Sequence, residues 1–407
     1  MFESFQHYLS YGSTDQQTVR DLSEYFDGLL VPGTIAAFQA EGTKGFVLSL
    51  SARSAEPYVI DSRFPLFQNV LQRPKKSHQM LADLLGVPSL VSQFIAPDPA
   101  SFTDSMIEQI SSNWIDFNVG FETVQTKTFD KYAARLGEPV LPENRQDPLF
   151  ILPPYTMVGN SADNWEGVSQ RLWEASQSYA KLRGVDDKLR RVIAAGSASE
   201  WDRLASLTVE RQIIAWISNL DEFKLSSEAE LVQYGESLKS STNRGQQVFA
   251  LYGGFFSVLL SRYGLTGSSH GIGFGEHRDW VELPTSGAPP ARYYVPRLHR
   301  YVGVDIATTI WRQFPDLVSC DCSECNNGSP SNLDYHSLMR HSVRARNKEI
   351  SEWLEMPSAE VSNLLERDYI AFRSAAQSLS APTAVARKVE ESCGHLSMWS
   401  RVIKVLG

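Results

Sequence analysis

The sequence predicts an α/β protein, a (β/α)8 TIM barrel over residues 1–315 followed by a mainly helical, metal-stapled subdomain over 316–407. Three observations predict it. Short apolar runs rich in Val, Ile, Phe and Tyr alternate with stretches of helical spacing, and a parallel strand pair needs a long crossover that is usually a helix. The runs sit near the spacing of a barrel, which typically takes about 250 residues. From residue 316 onward the alternation gives way to a cysteine cluster and long helical segments. An open doubly wound sheet is the alternative, weakened because no GxGxxG opens a helix after the first strand.

The strand candidates, in order, are GFVLSL (45–50), PYVID (57–61), NWIDFNV (113–119), PLFILPPY (148–155), RVIAAGS (191–197), QIIAWIS (212–218), VFALYGG (248–254), HGIGFGE (270–276) and RYYVP (292–296). Nine candidates exceed the eight a barrel uses, so at least one is not a barrel strand. Helices are expected at 165–183, 227–241 and 255–264, and in the C-terminal part at 345–367 and 381–405. The proline-rich polar stretches 137–148 and 282–292 read as rim loops.

With 42% hydrophobic and 21% charged residues in 407, the chain can bury a sizeable core. A net charge of −9 argues against gripping nucleic acid by overall electrostatics, while leaving room for a local basic groove. No run reaches the roughly 20 apolar residues of a membrane span, and the polar start MFESFQHYLSYGSTDQQ lacks signal-peptide order, so a cytoplasmic protein with no membrane partner is expected.

Cys320, Cys322 and Cys325 are spaced C-x-C-x-x-C, which presents three thiolates to one ion from a tight turn. Such density reads as metal ligation in a reducing compartment; the alternative is a loop of unrelated thiols. Three sulfurs and one imidazole suit tetrahedral Zn2+, and a closed shell makes the metal structural. His336 and His341 both follow within reach, five residues apart and pointing differently on a helix, so one is expected to ligate, with His341 favoured. Cys393 stands alone as a packed thiol.

These residues resemble the tRNA-guanine transglycosylase family, whose zinc site has the same C-x-C-x-x-C and downstream histidine on a (β/α)8 barrel. YVIDSRFPLFQ (58–68) is similar to the family's Asp-Ser-Gly-Gly-Phe-Gln, which places Asp61 at its catalytic aspartate and Ser62, Phe67 and Gln68 at its substrate-binding residues. LLVPGT (29–34) resembles its Pro-Val-Gly-Thr, and HGIGFGEHR (270–278) its glycine-rich substrate loop. The chain departs from the pattern at Arg63–Leu66, where the family has two glycines, in the sixteen-residue step from Cys325 to His341, and in lacking an Asp-x-Phe-Asp segment for the covalent nucleophile. Those departures, together with the HGIGFGE (270–276) and YYVPRLH (293–299) segments, look more like the divergent branch that inserts 7-deazaguanine bases into DNA. The resemblance implies a pentosyltransferase exchanging guanine in a nucleic acid, DNA favoured over tRNA, for a base such as 7-cyano-7-deazaguanine (preQ0). It would act as a homodimer or with partner proteins of a DNA-modification system.

Base exchange needs one carboxylate at C1′ and a second group to manage protons. Asp61 ends a predicted strand, where barrel enzymes place catalytic groups, although a turn aspartate would look the same. Glu276 is the expected second carboxylate, with Asp279 the alternative; a loop acid paired with Arg278 is the bland reading. Gly273 and Gly275 would admit a flat base close to the backbone. His270, His277 and Tyr294 are expected to bind the heterocycle, the alternative for the two histidines being a satisfied structural role, and Tyr294, with Tyr293 and His299, lies either on the same rim or in the core. Asp116 and Asp221 are further strand-end acids. Arg340, Arg344 and Arg346, with Arg297 and Arg300, would either position phosphates or form a solvated helix face. Two other readings stay open: a zinc-stabilised nucleic-acid-binding paralogue without turnover, and a nucleoside hydrolase.

Overall fold

The computed structural model describes residues 4–12, 15–92, 95–137, 139–159, 162–218, 220–273, 275–280 and 291–407. Its centre is a nine-stranded parallel sheet: β1 (Gln6–Ser10), β2 (Gly28–Pro32), β3 (Tyr58–Asp61), β4 (Phe150–Ile151), β5 (Met157–Val158), β6 (Arg191–Ala195), β7 (Gln212–Ile217), β8 (Gln247–Ala250) and β9 (Leu265–Gly271). The order across it is β4-β3-β2-β1-β9-β8-β7-β6-β5.

Alternation along the strands builds two cores. Tyr8, Leu30, Val59, Phe150, Ile214 and Phe249 share one cluster, while their neighbours Leu9, Leu29, Ile60, Ile213 and Val248 join the helices in a larger one, as period-2 side chains require. Strands from both halves of the sheet therefore contribute to one cluster on its concave face, where Tyr8 lies edge-on to Phe249, two strands along, at 5.3 Å. The sheet is curled. Gly28 permits this close approach, since a Cβ there would lie 2.4 Å from the Tyr8 ring.

The ladder is a linear array of nine strands and not the closed ring of eight that the sequence predicts. The departure has a local cause. Both edge strands come from the one segment 150–158: β4 pairs with β3 and β5 with β6. Between them stand Pro153 and Pro154, which cannot donate to a ladder. A single parallel bridge joins Ile151 to Leu189, and Arg190 N donates to Ile151 O at 3.1 Å. Side chains satisfy the interrupted backbone: Trp114 Nε1 donates to Leu152 O at 2.7 Å, Gln68 Nε2 donates to Met157 O at 3.0 Å, and Gln68 Oε1 accepts from Met157 N at 2.6 Å. Gln68→Leu would orphan two buried backbone groups, so it is expected to cost about 2–5 kcal/mol in urea unfolding; a loss below about 0.5 kcal/mol would show that water takes over both.

Other expectations are corrected here. GFVLSL lies in the helix Ala40–Ser54 and NWIDFNV in the helix Asp104–Val119. RYYVP forms β10 (Arg292–Val295), which pairs antiparallel with β11 (Arg300–Gly303) outside the main sheet. Of HGIGFGE only 270–271 are strand, ending β9. Most of 282–292 lies outside the described residues. The helices Trp165–Arg183, Glu228–Asn243 and Phe255–Leu260 stand where the sequence expects them.

The C-terminal part has three long helices, Tyr335–Trp353, Ser358–Ser378 and Thr383–Leu406. The last lies on Glu228–Asn243, where Gly235 admits Leu406: a Cβ there would be 2.4 Å from Leu406 Cδ1. Trp399 Nε1 fastens it by donating to Glu222 O at 2.7 Å. Among the described residues no helix is long and apolar enough to cross a membrane.

Candidate metal centre and carboxylate site

The 320–325 segment closes a turn because Cys322 O accepts from Cys325 N at 3.1 Å and Asn326 N at 2.9 Å. Asn326 and Asn327 continue it at φ 43° and 57°, a region asparagine enters more readily than most residues. His341 projects from the second turn of Tyr335–Trp353, and the ligand atoms of Cys320, Cys322, Cys325 and His341 lie within 4.8 Å of one another. His341 Nδ1 is 3.2 Å from Cys325 Sγ and 3.5 Å from Cys322 Sγ. Sulfur at about 2.3 Å and nitrogen at about 2.0 Å around a tetrahedral ion would stand about 3.5 Å apart.

The surrounding residues orient the imidazole. His341 Nε2 lies 2.6 Å from Tyr294 O, which can only accept, so Nε2 carries the proton and Nδ1 faces the sulfurs. Tyr293 stacks on the ring at 4.4 Å between centroids. Burial alone would lower this histidine, but hydrogen bonds to Cys320 and Cys322 outweigh it and lift the group to about 9. His336 is elsewhere, with Nδ1 3.5 Å from Thr18 Oγ1.

Asp61 closes β3 on the concave side, since it shares a face with Val59, two residues earlier. It is fully buried. Oδ1 accepts from Tyr155 Oη at 2.8 Å and from Arg63 N at 3.1 Å; Oδ2 accepts from Tyr252 Oη at 3.1 Å and pairs with Arg63 Nε at 2.7 Å. Burial, reinforced by Asp61, pushes both phenols well above their usual range, so they remain donors. Arg63 reaches Asp61 by adopting φ 55°, a left-handed conformation that costs a non-glycine residue of order 1 kcal/mol. This explains why glycine would fit there and what arginine gains instead.

Glu276 belongs to a second buried network. Its Oε1 pairs with Arg346 Nη2 at 2.6 Å, and Arg346 Nε reaches Glu349 Oε2 at 3.2 Å. Glu349 also accepts from Tyr294 Oη at 2.7 Å and lies 2.7 Å from His299 Nδ1. Beside it stands Glu222, which sequence reasoning missed, with Oε2 accepting from Phe256 N at 2.9 Å and Oε1 buried with no hydrogen-bond partner among the described residues. A Cβ at Gly254 would lie 1.8 Å from Glu222 Oε1 and 2.9 Å from Glu276 Cδ, so the two carboxyls face each other across a glycine. Both, with Tyr252 and His277, line a cavity of about 20 Å³, room for about one water. Through Tyr252 this cavity adjoins Asp61.

Burial first, then the charge of Glu276, pushes Glu222 well above the ordinary carboxylate range. The folded chain then keeps a proton that the unfolded chain releases, so this contribution is whole below the unfolded value and is lost as pH rises towards the folded one. Wild type is expected to lose stability relative to Glu222→Gln by about 1.4 kcal/mol per pH unit above about pH 5. Urea unfolding of both at a series of pH values measures the slope; parallel profiles would remove Glu222 as a proton holder.

Several expected contacts are corrected. His270 turns away from the concave face and meets His7, Nε2 to Nε2, at 2.7 Å; burial drives both rings down, His270 to about 3, so they are neutral. Tyr294 is not on a rim but buried between Arg346 and Glu349. Phe67 packs in the core, Ser62 Oγ accepts from Phe64 N at 3.4 Å, and Gln68 is spent on Met157. Gly273 and Gly275 do hold φ of 81° and 83°, but Gly273 faces the Met339 sulfur. Asp279 Oδ1 accepts from Ser218 Oγ at 3.2 Å. Asp116 is on an exposed helix face with Arg183, and Asp221 Oδ1 accepts from Phe223 N. The arginines are committed internally: Arg340 and Arg344 to Glu324, Arg346 to Glu276, Arg297 to Asp368, and Arg300 over Phe223.

Fold and site define an α/β protein with a curled parallel sheet, two adjoining buried carboxylate centres and a Cys3His group able to hold a metal such as zinc. No family model matches the chain, and no curated protein does. Among solved structures it is similar to nitroalkane oxidase from Streptomyces ansochromogenes, at 10% identity and a TM-score of 0.28 over 99% of this chain and 94% of that one. A likeness that low informs neither fold nor function.

Proposed function

We propose that the protein exchanges guanine in a nucleic acid, DNA in preference to tRNA, for a 7-deazaguanine such as 7-cyano-7-deazaguanine. The observation that carries this reading is Asp61: a carboxylate at the C-terminal end of a parallel strand, buried and oriented by two phenols and a guanidinium, with a second pair of carboxyls one cavity away. Asp61 would meet C1′, and the Glu222–Glu276 pair would hold and return the proton that the departing and incoming bases exchange. In this reading β4 and β5 are two halves of one strand split by Pro153–Pro154, and the curled sheet stays open there. The Cys3His group holds one zinc ion as a closed shell, away from the reacting atoms.

A second reading, a nucleic-acid-binding paralogue without turnover, is favoured by one observation: both Asp61 oxygens are already taken, two of the four contacts by Arg63. Exchange then requires Arg63 to swing away when the base enters. Incubating the protein with duplex DNA and, in parallel, tRNA in the presence of labelled 7-cyano-7-deazaguanine decides between them. Label is expected in DNA. Label in tRNA alone would reassign the polymer, and none in either, with a working control enzyme, would end the exchange reading.

A further inference from the structure

We infer that Arg346 is a positioning residue for Glu276 and that the metal cluster holds it in place, so the metal supports the carboxylate site as well as its own segment.

The geometry forms a short chain of buried contacts. His341 and Arg346 are on the same helix, five residues apart. His341 Nε2 grips Tyr294 O at 2.6 Å, while Arg346 Nη2 lies 3.0 Å from Tyr294 Oη and 2.6 Å from Glu276 Oε1. Tyr294 is therefore held at its backbone by the metal ligand and at its hydroxyl by Arg346 and Glu349. Arg346, Glu276, Glu349, His299 and Tyr294 are all buried, so none can exchange a lost partner for water without local opening. Helix and hairpin are fastened together at the cluster and again at the carboxylate, and Tyr294 belongs to both fastenings. That Glu276 serves base exchange is the reading given above; the coupling holds whichever reaction Glu276 serves.

Amide hydrogen exchange on the full chain, read by mass spectrometry, tests this with and without a chelator and with metal content measured in parallel. On metal removal, 275–278 and 252–256 are expected to exchange at least about tenfold faster, the factor that about 1.4 kcal/mol of lost local stability gives. Arg346→Met should keep its metal, since its four ligands are untouched, yet show fast exchange at 275–278 already, with little added by chelation. Arg346→Lys, which keeps the charge and loses the fork, should restore most of the protection. If Arg346→Met does not fold, the wild-type chelation and the lysine variant still decide. Unchanged protection at 275–278 while 320–353 opens would overturn the coupling, as would equal protection in all three forms. Failure of base exchange with these exchange results intact would count against the function and not against the coupling.

Discussion

Cys322→Ser is expected to take the protein from about one zinc per chain to less than about a tenth, and to lower its thermal midpoint by about 5–10 °C. The cluster offers one nitrogen and three sulfurs within 4.8 Å, with no other cysteine, histidine or acid among the described residues in the group. Losing one soft ligand therefore leaves a site that cannot close a tetrahedron. Structural zinc contributes about 10–16 kcal/mol of apparent folding energy in small peptides, and this chain has a core beyond that segment, so a partial and not a global collapse is expected. Cys393→Ser is the control: Cys393 is buried alone with its thiol on Glu390 O at 3.2 Å. It should lose packing and no metal. Metal analysis with a thermal melt checks both; unchanged zinc in Cys322→Ser would remove the site.

The cysteines were legible because metal ligation leaves a spacing in the sequence, and Asp61 because a strand-end acid does. What surrounds them was not. Tyr155, Tyr252 and Arg63 come to Asp61 from 94, 191 and 2 residues away, and no local pattern marks such a meeting. Glu222 lies five residues past the strand Gln212–Ile217 and reads as any exposed acid; what distinguishes it is that Oε1, beside Gly254, has no hydrogen-bond partner among the described residues. NWIDFNV was misread because seven residues are too few to show helical period. Over the whole helix, Ile107, Ile110 and Trp114 recur at that spacing. GFVLSL failed differently: 45–52 are buried on every side, so the run carries no period at all. The arginines of RHSVRAR read as a surface patch, yet Arg346 lies in the core because Glu276 and Glu349 compensate its charge.

Asp61→Asn is expected to lower base exchange by at least about 10³-fold while costing about 3–5 kcal/mol of stability. The two effects have different causes and can be separated. The amide keeps the shape of the side chain, but its NH2 must face either Tyr155 Oη and Arg63 N or Tyr252 Oη and Arg63 Nε, each a donor to the carboxylate now. Arg63 is left buried with its charge unpaired, and that accounts for the stability loss. Removing both partners in Asp61→Asn/Arg63→Met takes away the stranded charge, so roughly 2 kcal/mol or more should return, whereas exchange should stay lost because no carboxylate faces C1′. Arg63→Met alone isolates the gating expected of the arginine. It should destabilise by leaving Asp61 uncompensated, and should weaken the block on base entry, so KM for the free base falls even where kcat also falls. Exchange in Asp61→Asn above about a tenth of wild type would move the chemistry to Glu222 and Glu276; recovery of exchange in the double variant would make Asp61 a purely structural partner of Arg63.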